Sequence, residues 1–353
     1  MQTAVSISRA VAGRPPSWRD TAAAVVEAER LGVDFAWSGE AWVYDGATPL
    51  GYLAAVTSRI RLGTGIMVIS ARPPAVAAMT ALSLAHLSEG RFALGLGTSG
   101  PQVVEGLHGV AFDEPLARLA EYTKIVRSAL RGEKLDHQGR HYRLPAGAGK
   151  SLRMGLQAES EIPIYFGSLS PRSLRLAGAL ADGVLYQVFV PERAEVFLEP
   201  LREGAHEAER DPDSLDRQAG GIVAFGDDLE ALVEQHRMGV AFNLGGMGSA
   251  KTNFYTQAYI RAGWEDDARA VQALWLEDKR DAAAARVPDE MVLRTHLLGN
   301  DAQVLERIRA YRDAGITTLR LAPQGADLAA QNETLARALE LVAQVGAESA
   351  RGS

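Results

Sequence analysis

Residues 61–101 read RLGTGIMVISARPPAVAAMTALSLAHLSEGRFALGLGTSGP, and the order of elements within them decides the fold. The opening run, Leu62 to Ile69, is rich in isoleucine, valine and leucine, as suits a strand buried on both faces. Pro73 and Pro74 follow and suit the first turn of a helix; Val76, Met79, Ala81, Leu82, Leu84 and Ala85 then recur close to the helical period. Ser88-Glu89-Gly90 ends that helix. Phe92 to Leu96 is a second buried strand and opens into the loop Gly97-Thr98-Ser99-Gly100-Pro101. Strand, helix, strand is a βαβ unit, which makes the two strands parallel. Parallel sheets take their ligands at the C-terminal strand ends. Here those ends are Gly63 to Ile69, with Thr64, Gly65 and Ile66 inside it, and Gly97 to Pro101.

The alternation continues on both sides. Upstream, Thr3 to Ser8 is a strand, Trp18 to Leu31 an amphipathic helix stopped by Gly32, Val33 to Trp37 a strand and Thr48 to Ser58 a helix. Downstream, a helix opens at Asp113 and Pro115, Lys134 to Leu144 turns as a hairpin at Gln138-Gly139, and Pro145 to Gly155 is a glycine-rich loop. Further strands at 162–166, 183–188, 218–225 and 317–321 alternate with helices at 172–180, 192–209, 228–237, 303–314 and 328–345. The eight strands and their helices are expected to form an α/β-class (β/α)8 TIM barrel, one domain over 1–353, with a doubly wound sheet as the alternative. Residues 240–300 are too long for a connection and contain helical stretches at 253–262, 265–276 and 279–285, so they read as a helical insertion.

Bulk properties narrow the function. With 353 residues and 47% hydrophobic content, the chain has ample material for a core. A net charge of −7 argues against a nucleic-acid binder. The absence of cysteine excludes disulfides, thiolate zinc sites, iron–sulfur clusters and a cysteine nucleophile. The N-terminus lacks a basic-then-apolar signal pattern and no window reaches a membrane-spanning length, so a cytosolic protein is expected.

The motifs are weighed against plainer readings. Gly95-Leu96-Gly97-Thr98-Ser99-Gly100 matches G-x-G-x-x-G, but Pro101 follows, and Glu114 and Glu121, at the distance of the expected acid, belong to a helix; a Rossmann site is rejected. Phe166-Gly167-Ser168-Leu169-Ser170-Pro171-Arg172 joins a strand end to a helix start. There free N–H groups and the helix dipole favour a phosphate and Arg172 adds charge; the plainer reading is a helix capped by Ser170. Lys251, in GGMGSAK, lacks P-loop spacing. His137 and His141 flank Gly139 in the hairpin and do not read as a metal pair. Glu40 at a strand end, and Glu105 and His108 after the central loop, are candidate site groups or ordinary surface and capping groups.

Taken together, residues 61–101 with SGEAWVYDGATPLGYLAAVTSRI, PLARLAEYTKIVRSALRGE, PIYFGSLSPRSLRLAGALADG, GGMGSAKTNFY and VPDEMVLRTHLLG resemble the luciferase-like monooxygenase superfamily over nearly the whole chain. The resemblance is to the branch that uses the deazaflavin coenzyme F420 more than to the FMN branch. It implies a barrel with an insertion after its seventh strand, a homodimer, and F420 at the C-terminal mouth. The bulge behind the deazaflavin falls on Gly65 and Ile66, where the resemblance implies a cis peptide. The phosphate loop falls on Gly167, Ser168 and Leu169 with Ser170 and Arg172, and the fourth-strand loop on Thr98, Ser99 and Gly100. Ser38, Glu40, Thr64 and Gly97 are expected to approach the coenzyme, and Lys251 to face the mouth from the insertion. The histidine and the acid of the sugar-phosphate dehydrogenases are missing: Ala41 and Trp42 follow Glu40, and Ser99 and Gly100 occupy the fourth-strand loop. The expected activity is F420-dependent hydride transfer to or from an organic substrate, with Glu40 or Glu105 as candidate proton donor. The alternatives are an FMN-dependent monooxygenase using O2 and a partner reductase, and a catalytically degenerate ligand-binding barrel.

Overall fold

The computed structural model of the protein describes residues 1–7, 17–40, 44–248 and 253–352, and side chains up to 348. Its first half runs β1 (Gln2–Ser6), α1 (Trp18–Arg30), β2 (Phe35–Ser38), α2 (Thr48–Val56), β3 (Arg61–Thr64), β4 (Met67–Val68), α3 (Pro74–Leu87), β5 (Phe92–Gly97), α4 (Pro101–Val104) and α5 (Pro115–Leu130). A hairpin of β6 (His137–Gln138) and β7 (Arg143–Leu144) precedes β8 (Ile164–Gly167), α6 (Pro171–Leu180), β9 (Gly183–Leu185), α7 (Glu195–Glu207) and β10 (Asp216–Phe225). Then come α8 (Leu229–Gly245), α9 (Phe254–Arg261), α10 (Glu265–Leu276), α11 (Arg280–Ala285), α12 (Asp289–Thr295), β11 (Leu297–Gly299), α13 (Asp301–Asp313), β12 (Thr318–Pro323) and α14 (Leu328–Gly352).

The sheet closes. β1, β2, β3, β5, β8, β9, β10 and β12 pair in that order, all parallel, and β12 returns to β1 with Gln2 opposite Thr318 and Val5 opposite Leu321. This closure excludes the doubly wound alternative and removes every free edge from the ring. Residues facing inward fill it: Ala4, Phe35, Trp37, Ala93, Tyr165 and Leu185 pack together, with Ile66 resting against them. Trp37 stacks on Phe35 with centroids 5.3 Å apart, and the Arg61 guanidinium lies 3.7 Å from the Phe35 centroid. Trp37 Nε1 donates to Gln218 Oε1 at 2.9 Å, and Gln218 Nε2 donates to Asp216 at 2.7 Å. Asp216 also accepts from Tyr165 Oη at 2.9 Å and Thr318 Oγ1 at 2.8 Å. A polar network inside a barrel is tolerable when its members find partners in this way.

Several boundaries differ from expectation. The strand expected over 61–68 breaks into β3 and β4 at Gly65–Ile66, whose peptide is cis, as the resemblance implies. α8 runs to Gly245 instead of stopping near residue 237. The short α4, α12 and β11 are additional elements. α5 is capped at Glu114, after Asp113. On α3, Val76 and Met79 are 43% and 56% exposed, while Ala77, Ala78, Ala81, Leu82, Leu84 and Ala85 are buried.

A pair of histidines, His236 buried and His296 half-buried, sets an acid limit on stability. His296 packs at 6.1 Å from His236 of α8, and its Nδ1 bonds to Thr295 O at 2.9 Å. Burial, with His236 adding to it, pushes His296 down to about 4 from 6.5. The folded chain therefore keeps this ring neutral where the unfolded chain takes up a proton. Its contribution is intact above pH 6.5 and is lost as the pH falls from 6.5 towards 4, a loss of about 3 kcal/mol at most. Urea midpoints taken between pH 7 and 4.5 are expected to fall less steeply in His296→Asn than in the parent; equal slopes contradict this account of the pair.

Candidate active site at the barrel mouth

The C-terminal strand ends form a floor made by one side chain and several glycines. The Ile66 side chain lies across the barrel toward Gly97 and Gly167. A methyl carbon built at Gly97 would sit 2.7 Å from Ile66 Cδ1, and one at Gly167 would sit 3.0 Å from its Cγ2. At Gly95 the clash would be with the backbone, 1.8 Å from Thr64 O. Glycine is required at these strand ends because another residue's side chain occupies the space. The result is an apolar shelf, with Ile66 half-buried above the aromatic interior.

Two residues hold the bulge from below and beside. Thr64 Oγ1 donates to Gly95 O at 2.8 Å and accepts from Gly95 N at 2.9 Å, so this hydroxyl joins β3 to β5 and is not directed at a ligand. Glu40 takes four bonds on its carboxylate: from Val68 N at 2.8 Å, Gly46 N at 3.1 Å, Arg72 Nη1 at 3.2 Å and Arg72 Nη2 at 2.5 Å. The side chains are 7% exposed for Glu40 and 17% for Arg72, so this is a bidentate pair shielded from solvent. Sequence reading does not single out Arg72, whose place before two prolines looks like ordinary surface charge. Tyr122 Oη donates to Arg72 O at 3.1 Å and steadies the same turn.

The remaining expected residues divide into those at the mouth and those elsewhere. Ser38 is buried, its carbonyl accepts from Gly65 N at 2.7 Å, and its Oγ has no partner among the described residues. Thr98, Ser99 and Gly100 are half-exposed at the end of β5, with Ser99 in the left-handed region at φ 57°. Thr98 borders a cavity of about 450 Å³ whose walls include Ile69, Ser70, Arg72, Phe112 and Tyr142. His108 Nδ1 lies 3.0 Å from Ser70 Oγ beside that cavity. Glu105 is exposed and accepts from Phe112 N at 3.1 Å, closing its own loop. Lys251 lies outside the described residues, as do Ala41 and Trp42.

The loop after β8 carries both readings made of it. Ser170 caps α6: its Oγ accepts from Ser173 N, and its N–H donates to Ser173 Oγ, each at 3.1 Å. Ser168 is buried, with Oγ donating to Ser173 O at 3.3 Å. Arg172 is exposed, and among the described residues no carboxylate pairs with it. Arg261 of α9 donates to Leu169 O and so anchors the insertion to this loop. The orphan hydroxyl of Ser38, the glycine-lined shelf and the free cation at a helix start together fit a planar ring with an anionic tail. Among the described residues no group of carboxylates and imidazoles that could hold a metal ion is present.

Comparison with known proteins identifies the family and the fold. Residues 1–318 match the family model described as luciferase-like monooxygenase. A protein of Mycobacterium tuberculosis provisionally named coenzyme F420-dependent oxidoreductase is 38% identical over 331 residues, covering 90% of this chain and 95% of its own length. Among solved structures, the coenzyme F420-dependent tetrahydromethanopterin reductase of Methanopyrus kandleri superposes with a TM-score of 0.78 at 23% identity, covering 95% of this chain and 96% of that one. An F420-dependent secondary alcohol dehydrogenase in complex with an F420–acetone adduct superposes at 0.76 with 18% identity, covering 97% of this chain and 99% of that one. At such identities the two structures speak for the barrel fold alone.

Proposed function

The chain belongs to the luciferase-like monooxygenase family, and from that premise we propose an F420-dependent oxidoreductase that moves a hydride between the deazaflavin and an organic substrate. The carrying observation is the shelf of Ile66 between Gly97 and Gly167, a flat apolar platform at the ligand end of the barrel. When bound, F420 supplies or accepts the hydride at its C5. The chain's own residues position and enclose. Ile66 and its glycines back the ring, Thr64 and the Glu40–Arg72 pair keep the bulge from moving, and the loop of Gly167, Ser168, Leu169 and Ser170 with Arg172 receives the phosphate. Glu40, with four donors on its carboxylate, acts as a positioning residue in this scheme and not as the proton donor. With F420H2 deuterated at C5, deuterium is expected in the product without O2 uptake. Oxygen uptake with FMNH2 and none of this label transfer supports the monooxygenase instead; redox activity with neither coenzyme supports a ligand-binding barrel.

We further propose that the enzyme is a cytosolic homodimer. Among the described residues no helix is long and apolar enough to cross a membrane. The outer faces of α2 and α3 expose Tyr52, Val56, Val76, Met79 and Leu87; the family resemblance implies a second copy of the chain, and this apolar face is the one assigned to it here. Sedimentation equilibrium is expected to return twice the chain mass for the parent and the monomer mass for Met79→Glu. A monomeric parent, or a variant that remains dimeric, rejects this surface.

A further inference from the structure

The insertion touches the loop after β8 with one charged side chain that the scheme above does not use. Arg261 stands in the last turn of α9, and its Nη2 donates to Leu169 O. α9 itself is held by a satisfied cap. Asn253 Oδ1 accepts from Tyr255 N at 2.9 Å and Thr256 N at 3.1 Å. Asn253 Nδ2 and Thr256 Oγ1 in turn donate to Leu244 O at 2.7 and 2.6 Å. Ala258 and Tyr259 of the same helix are buried. The fold thus brings a fixed cation to residue 169 from 92 positions away.

This half-buried guanidinium is poorly satisfied. Its Nε is sealed from solvent without a hydrogen-bond partner. Its Nη1 has no partner among the described residues either, but it is not sealed, so that edge is open beside the loop. Among the described residues no carboxylate pairs with Arg261. The loop has matching gaps. Among the described residues the N–H groups of Ser168 and Leu169 donate to no acceptor, whereas Ser170 N and Ser173 N are both used in the cap of α6. Two free N–H donors and an unpaired cation therefore meet at Leu169. A guanidinium drawn out of water onto one neutral partner is costly, and an anion at the free donors offsets that cost.

We propose that Arg261 binds the coenzyme phosphate from the insertion, with Nη2 anchored on Leu169 O and the open Nη1 edge turned to the anion that Ser168 N and Leu169 N receive. The insertion is then a working part of the coenzyme site and not only a wall of the mouth. Arginine suits this double task, since its planar fork serves an acceptor and an anion at once. This inference rests on the reading of the loop after β8 as the phosphate site.

The test titrates the protein with F420 and with the same deazaflavin lacking the phosphate and everything beyond it. The parent is expected to prefer F420. Arg261→Met should weaken F420 at least about tenfold, a difference of about 1.4 kcal/mol, and leave the phosphate-free compound within about twofold of the parent. Arg261→Gln, a neutral donor, should lose about as much as Arg261→Met, and Arg261→Lys, which keeps a point charge, should lose less. An F420 affinity unchanged in Arg261→Met overturns the proposal. So does an Arg261→Gln variant that matches the parent, because the arginine would then serve only as a neutral tie to the loop. Equal weakening of both compounds in Arg261→Met also overturns it, since a purely structural loss does not single out the phosphate. Should Arg261→Met fail to fold, the other two variants decide: F420 affinities that are equal in Arg261→Gln and Arg261→Lys overturn the proposal. A parent that binds both compounds alike overturns the phosphate site and Arg261 with it; a parent that binds neither overturns the functional reading itself.

Discussion

Gly167→Asp is expected to weaken F420 binding at least about a hundredfold, close to 3 kcal/mol, the loss of two charge-assisted bonds at about 1.5 kcal/mol each. Two effects act in the same direction. A side chain at residue 167 begins 3.0 Å from Ile66 Cγ2, so it presses on the shelf; its carboxylate then sets a negative charge where the phosphate is proposed to sit. Gly167→Asn separates them, being of equal size and neutral. If repulsion dominates, the asparagine variant should keep most of the affinity and the aspartate variant should bind more tightly as salt is raised. Fluorescence titration reads both. An aspartate variant that binds F420 as the parent does removes the loop after β8 from the coenzyme site.

Arg72→Met is expected to cost about 3 kcal/mol of stability or more, the range for breaking one side of a buried ion pair. Glu40 would keep the N–H groups of Val68 and Gly46 but lose both bonds from the guanidinium. The turn between β2 and β4 would loosen, and with it the position of Ile66, whose O accepts from Glu40 N at 3.3 Å. F420 affinity should fall in parallel with the urea midpoint. Glu40→Gln distinguishes positioning from proton donation. A positioning role predicts lower stability and weaker F420 binding with turnover of the bound complex largely kept; a proton donor would show the reverse, an intact fold with kcat abolished.

Much of the barrel was legible because each βα unit carries its own punctuation. Pro73 and Pro74 open α3, Gly90 closes it, and the flanking runs are too apolar for anything but buried strands. What sequence could not reveal is how distant parts meet. α8 was expected to stop near residue 237, yet it runs on to Gly245, where a methyl carbon would sit 2.1 Å from Trp275 of α10. Periodicity placed Val76 and Met79 on the apolar face of α3, but a period does not say whether the cover comes from the same chain.

The site shows the same division. Its glycines and its strand-to-helix loop stand out in the sequence, whereas the reason for Gly97 and Gly167 is the Ile66 side chain, about 30 and 100 residues away. Arg72 was unreadable because Glu40, its partner, is 32 positions earlier.

The central claim is that the mouth is built for a deazaflavin, and parallel titrations of the purified protein with F420 and with FMN test it most directly. The account predicts that F420 binds at least about tenfold tighter, a gap of about 1.4 kcal/mol or more. Equal affinities, or a preference for FMN, would contradict it.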